Sequence, residues 1–189
     1  PSGWLIRSFH AWGAHMMVFV LLLHMLRVFW YGGYKKPREL TWVFGTGLLF
    51  LTMIFGFTGY LLPMDQLSYW GTVVATEPMF GLPGAGDTVG RIVRGGAEVN
   101  DSTLSRFFIA HVFLLPAAVG ALVAAHLYLV GRLGISSKGS VKEEAGNGYK
   151  DLMKASGVPF KRHMYREVTT VIAVLSIVIT LAVLFPPEL

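Results

Sequence analysis

Histidine is the residue type in this chain whose spacing indicates chemistry. His10 and His24 lie 14 positions apart in the first apolar stretch, and His111 and His126 lie 15 apart in the third. At about 100° and 1.5 Å per helical residue, the first pair returns to within about 40° of one face, the second to within about 60°, and each spans roughly 21 to 22 Å. Two helices that run in the same direction would therefore place His10 beside His111 and His24 beside His126.

Two facing imidazoles are a natural axial ligand pair for a haem iron, because neutral nitrogen ligands bring no net charge into hydrocarbon. Zinc would need further ligands, and the chain has no cysteine to supply thiolates or covalent haem attachment. The spacing therefore predicts two b-type haems, one on each histidine pair. Gly45 and Gly59, also 14 positions apart, would leave room for the flat macrocycles. Arg7 and Arg27 flank the histidines of the first stretch and are placed to pair with haem propionates.

The elements that must position these residues are transmembrane helices. Of the 189 residues, 53% are hydrophobic and 14% are charged, and the mean hydropathy is +0.56. This composition excludes a disordered, collagen-like or disulfide-rich protein and predicts an all-α membrane protein. Four stretches lack Asp, Glu, Lys and Arg, and each is long enough to cross a bilayer as a helix. These stretches are residues 8–26, 40–64, 107–131 and 168–187.

The charges between the four stretches predict the orientation of the chain. The first and third connections carry four and eight Lys and Arg residues, whereas the second, residues 63–106, carries three basic and five acidic residues. By the positive-inside rule, the first and third connections face the negative, cytoplasmic side, most simply of a bacterial inner membrane. This asymmetry explains the net charge of +5 better than nucleic-acid binding does. The second connection is long and rich in Gly and Pro, so we expect a functional loop with short helices.

Four segments of the chain resemble cytochrome b, the quinol-oxidising subunit of bc-type complexes, and most closely its b6 branch. They are GWLIRSFHAW (Gly3 to Trp12), KKPRELTWVFG (Lys35 to Gly45), GYLLPMDQLSYWG (Gly59 to Gly71) and STLSRFFIAH (Ser102 to His111). The interval between His111 and His126 is that of the b6 branch and is one residue longer than in the mitochondrial branch. The resemblance begins with the second helix of the family, so the first helix of the family is expected to precede Pro1.

The resemblance implies a reaction and the residues that serve it. Quinol would be oxidised on the positive side, and electrons would pass through a low-potential haem on His10 and His111 and a high-potential haem on His24 and His126 to a quinone-reduction site. The implied quinol pocket contains Tyr60, Pro63, Tyr69, Trp70 and Gly71. Met64 stands where the family usually has Trp. A basic and acidic pair, Arg166 with Glu167, falls where the mitochondrial branch has such a pair near its quinone-reduction site.

The resemblance also implies an organisation and partners. We expect a di-haem helical bundle in residues 1–134, a solvated linker in residues 135–160, and in residues 161–189 the first helix of the cytochrome b C-terminal half. The implied partners are a Rieske-type iron–sulfur protein, a c-type cytochrome, the remaining C-terminal helices of cytochrome b in the same or another subunit, membrane lipid, and a second copy of the chain in a homodimer.

Two other hypotheses remain open on the sequence alone. A di-haem, quinone-reactive membrane anchor of a dehydrogenase or hydrogenase would share the paired histidines but not the long connection at residues 63–106. A cofactor-free membrane transporter or assembly protein could use the same histidines to line a polar path. The number of haems bound per chain separates the last hypothesis from the others.

Overall fold

The structure is a computed structural model that describes residues 2–134, 136 and 160–187, and it gives side chains for all of these except residues 160–163. Within the described residues, all of the regular secondary structure is helical. The helices are α1 (Gly3–Trp30), α2 (Glu39–Leu61), α3 (Gln66–Phe80), α4 (Gly86–Arg94), α5 (Asp101–Ile109), α6 (Leu115–Leu133) and α7 (Phe160–Leu184), with a π-helical turn, Ala110–Leu114, joining α5 to α6. Nearly all of the predicted linker, residues 135–160, lies outside the described residues.

Four helical spans are long and apolar enough to cross a membrane. They are Gly3–Trp30, Glu39–Leu61, Asp101–Leu133 and Met164–Leu184. Large apolar side chains on these spans, such as Phe50, Phe113 and Ile172, are exposed rather than packed inside. Exposure of this kind suits a helix whose surrounding solvent is lipid. The prediction of an all-α membrane protein with four transmembrane helices is confirmed, and the two short helices α3 and α4 lie in the long second connection as expected.

One compact unit comprises residues 1–49 and 123–189. Here α1 packs along α7, and the indole nitrogen of Trp12 donates a hydrogen bond of 2.8 Å to the carbonyl oxygen of Phe185. Gly134 ends α6 with a left-handed backbone, φ +68°, and its amide bonds to the carbonyl of Val130. Arg38, in the connection before α2, donates from Nε to the carbonyl of Gly134 at 3.2 Å. This contact ties the start of α2 to the end of α6.

The second compact unit comprises residues 50–122 and contains α3, α4 and α5. A small core of Leu61, Val99 and Phe107 holds it together. Asp65 caps the start of α3, since its side chain accepts a 2.7 Å hydrogen bond from the amide of Ser68. Met64, immediately before this cap, has a left-handed backbone with φ +54°.

Arg94 is the polar centre of this second unit. Its side chain is 4% exposed, and its guanidinium lies 4.7 Å over the ring of Phe80. It donates hydrogen bonds of 2.6 to 2.9 Å to Thr76 Oγ1, the carbonyls of Val73 and Ala97, and Glu77 Oε2. The Arg94 carbonyl accepts a hydrogen bond from Thr103. One buried cation therefore connects α3, α4 and the start of α5.

Candidate functional site

The first unit contains a cavity of about 660 Å³ that holds one of the predicted histidine pairs. Both His24 of α1 and His126 of α6 line it. Most of the remaining wall is apolar, and the volume is in the range of sites for cofactors and other small ligands. The structure thus brings together two histidines that are 102 positions apart in the sequence.

Positive charge is concentrated at the same cavity. Arg27 and Arg38 both line it, and Arg38 is only 5% exposed. Glu167 lines the cavity too, so the charged residues of its lining are two basic and one acidic. A flat apolar ligand that carries carboxylates matches a wall of this composition, because arginine binds carboxylates with charge-assisted and often paired hydrogen bonds.

Gly45 of α2 is buried against His126. A Cβ built on Gly45 would lie 3.2 Å from Cε1 and 3.7 Å from Nδ1 of the imidazole. The Nδ1 atom of His126 and the hydroxyl of Thr41 are both buried without a hydrogen bond of ordinary geometry to any described residue. Two unsatisfied polar atoms beside one cavity mark a place where a bound group can supply partners.

His111 lies in the second unit, 8% exposed and inside the π-helical turn. Its Nδ1 lies 3.0 Å from the carbonyl oxygen of Phe55 and 3.2 Å from the hydroxyl of Thr58. Because a carbonyl oxygen can only accept, Nδ1 carries the hydrogen, and Nε2 is the nitrogen with the lone pair. A backbone carbonyl that fixes the tautomer in this way is the usual support for a metal-binding histidine.

Gly59 of α2 faces the ring of His111. A Cβ on Gly59 would lie 2.5 Å from Cε1, 3.0 Å from Nδ1 and 3.2 Å from Nε2. The sequence suggested that Gly45 and Gly59 make room for a macrocycle. In this structure the space beside each glycine is taken by the imidazole of a predicted ligand, so the absence of a Cβ sets how close the helix comes to that ring.

The residues implied for the quinol pocket all lie in the second unit, where the structure pairs Tyr60 with Gly71 and Tyr69 with Trp70. A Cβ on Gly71 would lie 2.8 Å from Cε1 of Tyr60, whose hydroxyl donates a 3.3 Å hydrogen bond to the carbonyl of Leu67. Tyr69 and Trp70 contact each other edge to face at 5.2 Å, and both line a cavity of about 410 Å³. Pro63 is exposed on the turn between α2 and α3.

Helix α3 has polar residues at its buried positions and apolar residues at exposed ones. Its buried positions are the hydroxyl residues Ser68, Thr72 and Thr76, whereas Leu67, Trp70 and Val74 are exposed. The spacing of the exposed residues places them on one side of the helix. An apolar stripe of this kind on a short helix outside the spans indicates contact with lipid, with a ligand or with another protein.

Some predicted site residues lie apart from these groups. Arg7 and His10 are exposed on α1 and do not line the cavity that contains His24. Arg166 is exposed on α7, next to the cavity-lining Glu167. In the sequence, Arg38 is one of several basic residues in the first connection. Its place in the segment KKPRELTW is the one feature that distinguishes it.

Comparison with known proteins agrees with the sequence resemblance. The family model described as cytochrome b (N-terminal)/b6/petB matches residues 15–189. Cytochrome b6 of Gracilaria tenuistipitata var. liui is 48% identical over 134 residues, which cover 71% of this chain and 62% of the relative. The cytochrome bc complex cytochrome b subunit of Chlorobaculum thiosulfatiphilum is 43% identical over 191 aligned positions, which cover 100% of this chain and 42% of the relative.

A solved structure described as hyperthermophilic respiratory Complex III has the same fold. Its TM-score with this chain is 0.79 at 36% identity, and the match covers 98% of this chain and 48% of that chain. This chain spans 62% of the length of the Gracilaria cytochrome b6 and 42% of the length of the Chlorobaculum cytochrome b subunit. The family match over most of the chain, the agreement in fold and the four apolar helices lead to one conclusion: the chain belongs to the cytochrome b (N-terminal)/b6 family, whose members are electron-transport proteins of the membrane.

Proposed function

We propose that this chain is the di-haem part of the cytochrome b subunit of a bc-type quinol-oxidising complex. The observation that carries the proposal is the 660 Å³ cavity lined by both His24 and His126. A cavity with two imidazoles, two arginines and an otherwise apolar wall fits an axially ligated, carboxylate-bearing macrocycle better than it fits an ion path, which would need continuous polar lining.

The second haem site, His10 with His111, is proposed from the matching sequence intervals. The hydrogen bond from Nδ1 of His111 to Phe55 supports a ligand role, because it presents Nε2 as the donor atom. Bound to these two pairs, b-type haems would accept and release single electrons at two depths in the membrane. The residues of the chain would hold His111 in one tautomer, line the cavity at His24 and His126 with apolar side chains and place Arg27 and Arg38 where carboxylates can bind.

We further propose that quinol binds beside α3 on the positive side of the membrane. A quinol has a flat ring and an apolar tail, and the exposed stripe of Leu67, Trp70 and Val74 offers an apolar surface next to the contact of Tyr60 with Gly71. The missing Cβ of Gly71 lets the ring of Tyr60 lie against the backbone of α3, so that Tyr60 borders this apolar surface.

The remaining parts of the proposed assembly follow from the family. They are a Rieske-type iron–sulfur protein and a c-type cytochrome as electron acceptors, further cytochrome b helices, a second copy of the chain, and a quinone-reduction site on the cytoplasmic side near Arg166 and Glu167. Glu167 supports that location, since it lines the cavity that contains His24. The inner membrane of a bacterium is the proposed location.

Haem stoichiometry tests this proposal. The chain is purified from membranes in mild detergent, and the pyridine haemochrome assay is compared with the protein concentration. We expect two b-type haems per chain. A chain that is folded and helical but contains no haem would contradict the proposal and favour the cofactor-free transporter, and one haem per chain would contradict the paired arrangement.

A further inference from the structure

The two histidine intervals of this chain are unequal, and ideal helix geometry does not reconcile them. The interval from His10 to His24 is 14 positions and that from His111 to His126 is 15. In regular α-helices, 14 positions stop about 40° short of a whole number of turns and 15 positions run about 60° past it. The two helices would therefore present their second histidines about 100° apart in rotation.

The π-helical turn Ala110–Leu114 lies at the start of the longer interval. Its defining hydrogen bond runs from the amide of Leu115 to the carbonyl of Ala110, five residues back. A π-turn holds one residue more than an α-helical turn at nearly the same rotation. The turn runs from Ala110 to Leu114, and His111 is its second residue. Most of the turn therefore lies between His111 and His126, and it accommodates the additional residue of this interval.

Pro116 explains why the wide turn lies at this place. Proline has no amide hydrogen, and its ring displaces the carbonyl four residues earlier, which here belongs to Val112. The wide turn ends at Leu114, so the distortion and the missing hydrogen bond fall in the same turn. The rest of α6 continues as regular helix to Leu133.

We infer that the π-turn Ala110–Leu114 is a positioning element that gives the 15-residue interval the rotation of a 14-residue one, so that His126 is turned toward the cavity it shares with His24. With one residue absorbed, the interval has the same rotation and the same rise of about 21 Å as the interval in α1 and as that between Gly45 and Gly59 in α2. The inference rests on the proposed function, because it assigns the turn to placing a haem ligand.

Two deletions that leave the same 14-residue interval distinguish this role from a local distortion around proline. Val112 lies in the π-turn and Val123 in the regular part of α6, and both are exposed, at 41% and 36%. Without Val112 the helix can close into regular α-helix, and His126 keeps its direction. Without Val123 the π-turn remains, and His126 rotates by about 100° relative to the part of the helix before the deletion.

The measurements are haem per chain, the α-band spectrum and a redox titration, made on each deletion variant in its native membrane. We expect deletion of Val112 to retain two haems with two midpoint potentials, and deletion of Val123 to retain one haem, with the spectrum that a His126→Leu variant shows. The same pair is also made with Pro116→Ala, because proline inside a newly regular helix lacks an amide hydrogen and clashes with the preceding turn, which opposes folding for a reason unrelated to the histidines.

The inference is overturned if deletion of Val112 loses a haem both with and without Pro116→Ala, or if deletion of Val123 leaves both haems and both potentials unchanged. If the chain without any deletion binds no haem, the proposed function itself is contradicted. Failure of the proposed function is therefore distinguishable from failure of the inference about the π-turn.

Discussion

Gly59 is in direct contact with the imidazole of His111: a Cβ at this glycine would lie 2.5 Å from Cε1, closer than real Cβ contacts come. The same relationship recurs between Gly45 and His126 with more space, 3.2 Å. In both places a helix without a side chain lets the ring of a proposed ligand approach the backbone. The orientation of each imidazole therefore depends partly on glycine at these two positions of α2, because a side chain there would collide with the ring.

Substitution of Gly59 should displace His111. Gly59→Ala places a methyl group inside contact distance of the ring and puts strain on the hydrogen bond from Nδ1 of His111 to Phe55, which is 3.0 Å long. We expect the haem proposed at His10 and His111 to be lost or to show a shifted α-band, whereas Gly45→Ala should perturb the other proposed haem less. Optical difference spectra of isolated membranes measure both effects.

Gly56→Ala is the matched control for these glycines. Gly56 lies in the same helix, and a Cβ there would meet nothing within 4 Å. The control should leave both spectra unchanged and should stabilise the helix slightly, by up to about 1 kcal/mol. If Gly59→Ala is as neutral as Gly56→Ala, the contact with His111 does not position the ring.

Arg38 should tune the haem proposed at His24 and His126. Arg38→Gln removes a buried positive charge from the cavity wall, which disfavours the reduced and more negative form of the bound group. We expect the midpoint potential to fall by about 40 mV, equivalent to roughly 1 kcal/mol for one electron. Redox titration of the purified chain measures this change.

Two variants separate charge from structure at this position. Arg38→Lys keeps the charge but weakens the contact with Gly134, so it should restore most of the potential. Lys36→Gln removes an exposed charge from the same connection and should have little effect. Equal shifts for Arg38→Gln and Lys36→Gln would show that only the general charge of the connection matters.

Arg94 should be essential for the stability of the second unit. Arg94→Met leaves the Thr76 hydroxyl and the carbonyls of Val73 and Ala97 without this donor. The Glu77 carboxylate is 65% exposed and can be hydrated, so we expect a loss of about 1 to 3 kcal/mol in the free energy of unfolding. Arg91→Ala breaks an exposed ion pair with Asp87 of 2.8 Å and should change the stability far less, because solvent screens an exposed pair. Thermal unfolding in detergent, followed by tryptophan fluorescence, compares the two variants, and similar losses would contradict the central role of Arg94.

Asp65 should make the start of α3 sensitive to acid. The amide of Ser68 donates to its carboxylate and holds the pKa of Asp65 below the ordinary value of 3.8. A lowered pKa in the folded state means that the contribution to stability is complete above the ordinary value and is lost as the pH falls through the lowered one. Asp65→Asn keeps a capping oxygen without the titration, so unfolding curves between neutral and strongly acidic pH should show a smaller acid loss for this variant. Equal acid losses would exclude Asp65 as the source.

The spans and the histidine intervals could be predicted because they depend on local properties. Stretches without charged residues and an angular repeat near 100° identify transmembrane helices and their faces without knowledge of their neighbours. The short helices α3 and α4 were expected for a similar reason, since Gly and Pro divide the second connection into short apolar segments.

Other features depend on contacts that are distant in the sequence. In the sequence, Arg38 is a basic residue of the first connection like Lys35 and Lys36. It is nevertheless buried, and its Nε donates to the carbonyl of Gly134, which lies 96 residues away. The π-turn had two sequence signals, an interval one residue longer than its partner and Pro116 inside that interval, but neither signal states where the additional residue is absorbed. Arg94 looked like a loop charge until its acceptors on α3 were known.

Selective loss of one haem tests the central claim most directly. His24→Leu and His126→Leu should each remove the same haem, with the same α-band and the same midpoint potential, and should leave the other haem intact. The same comparison for His10→Leu and His111→Leu should remove the second haem. If His24→Leu and His126→Leu remove spectrally different haems, or if neither removes one, the pairing of imidazoles at the cavity is wrong.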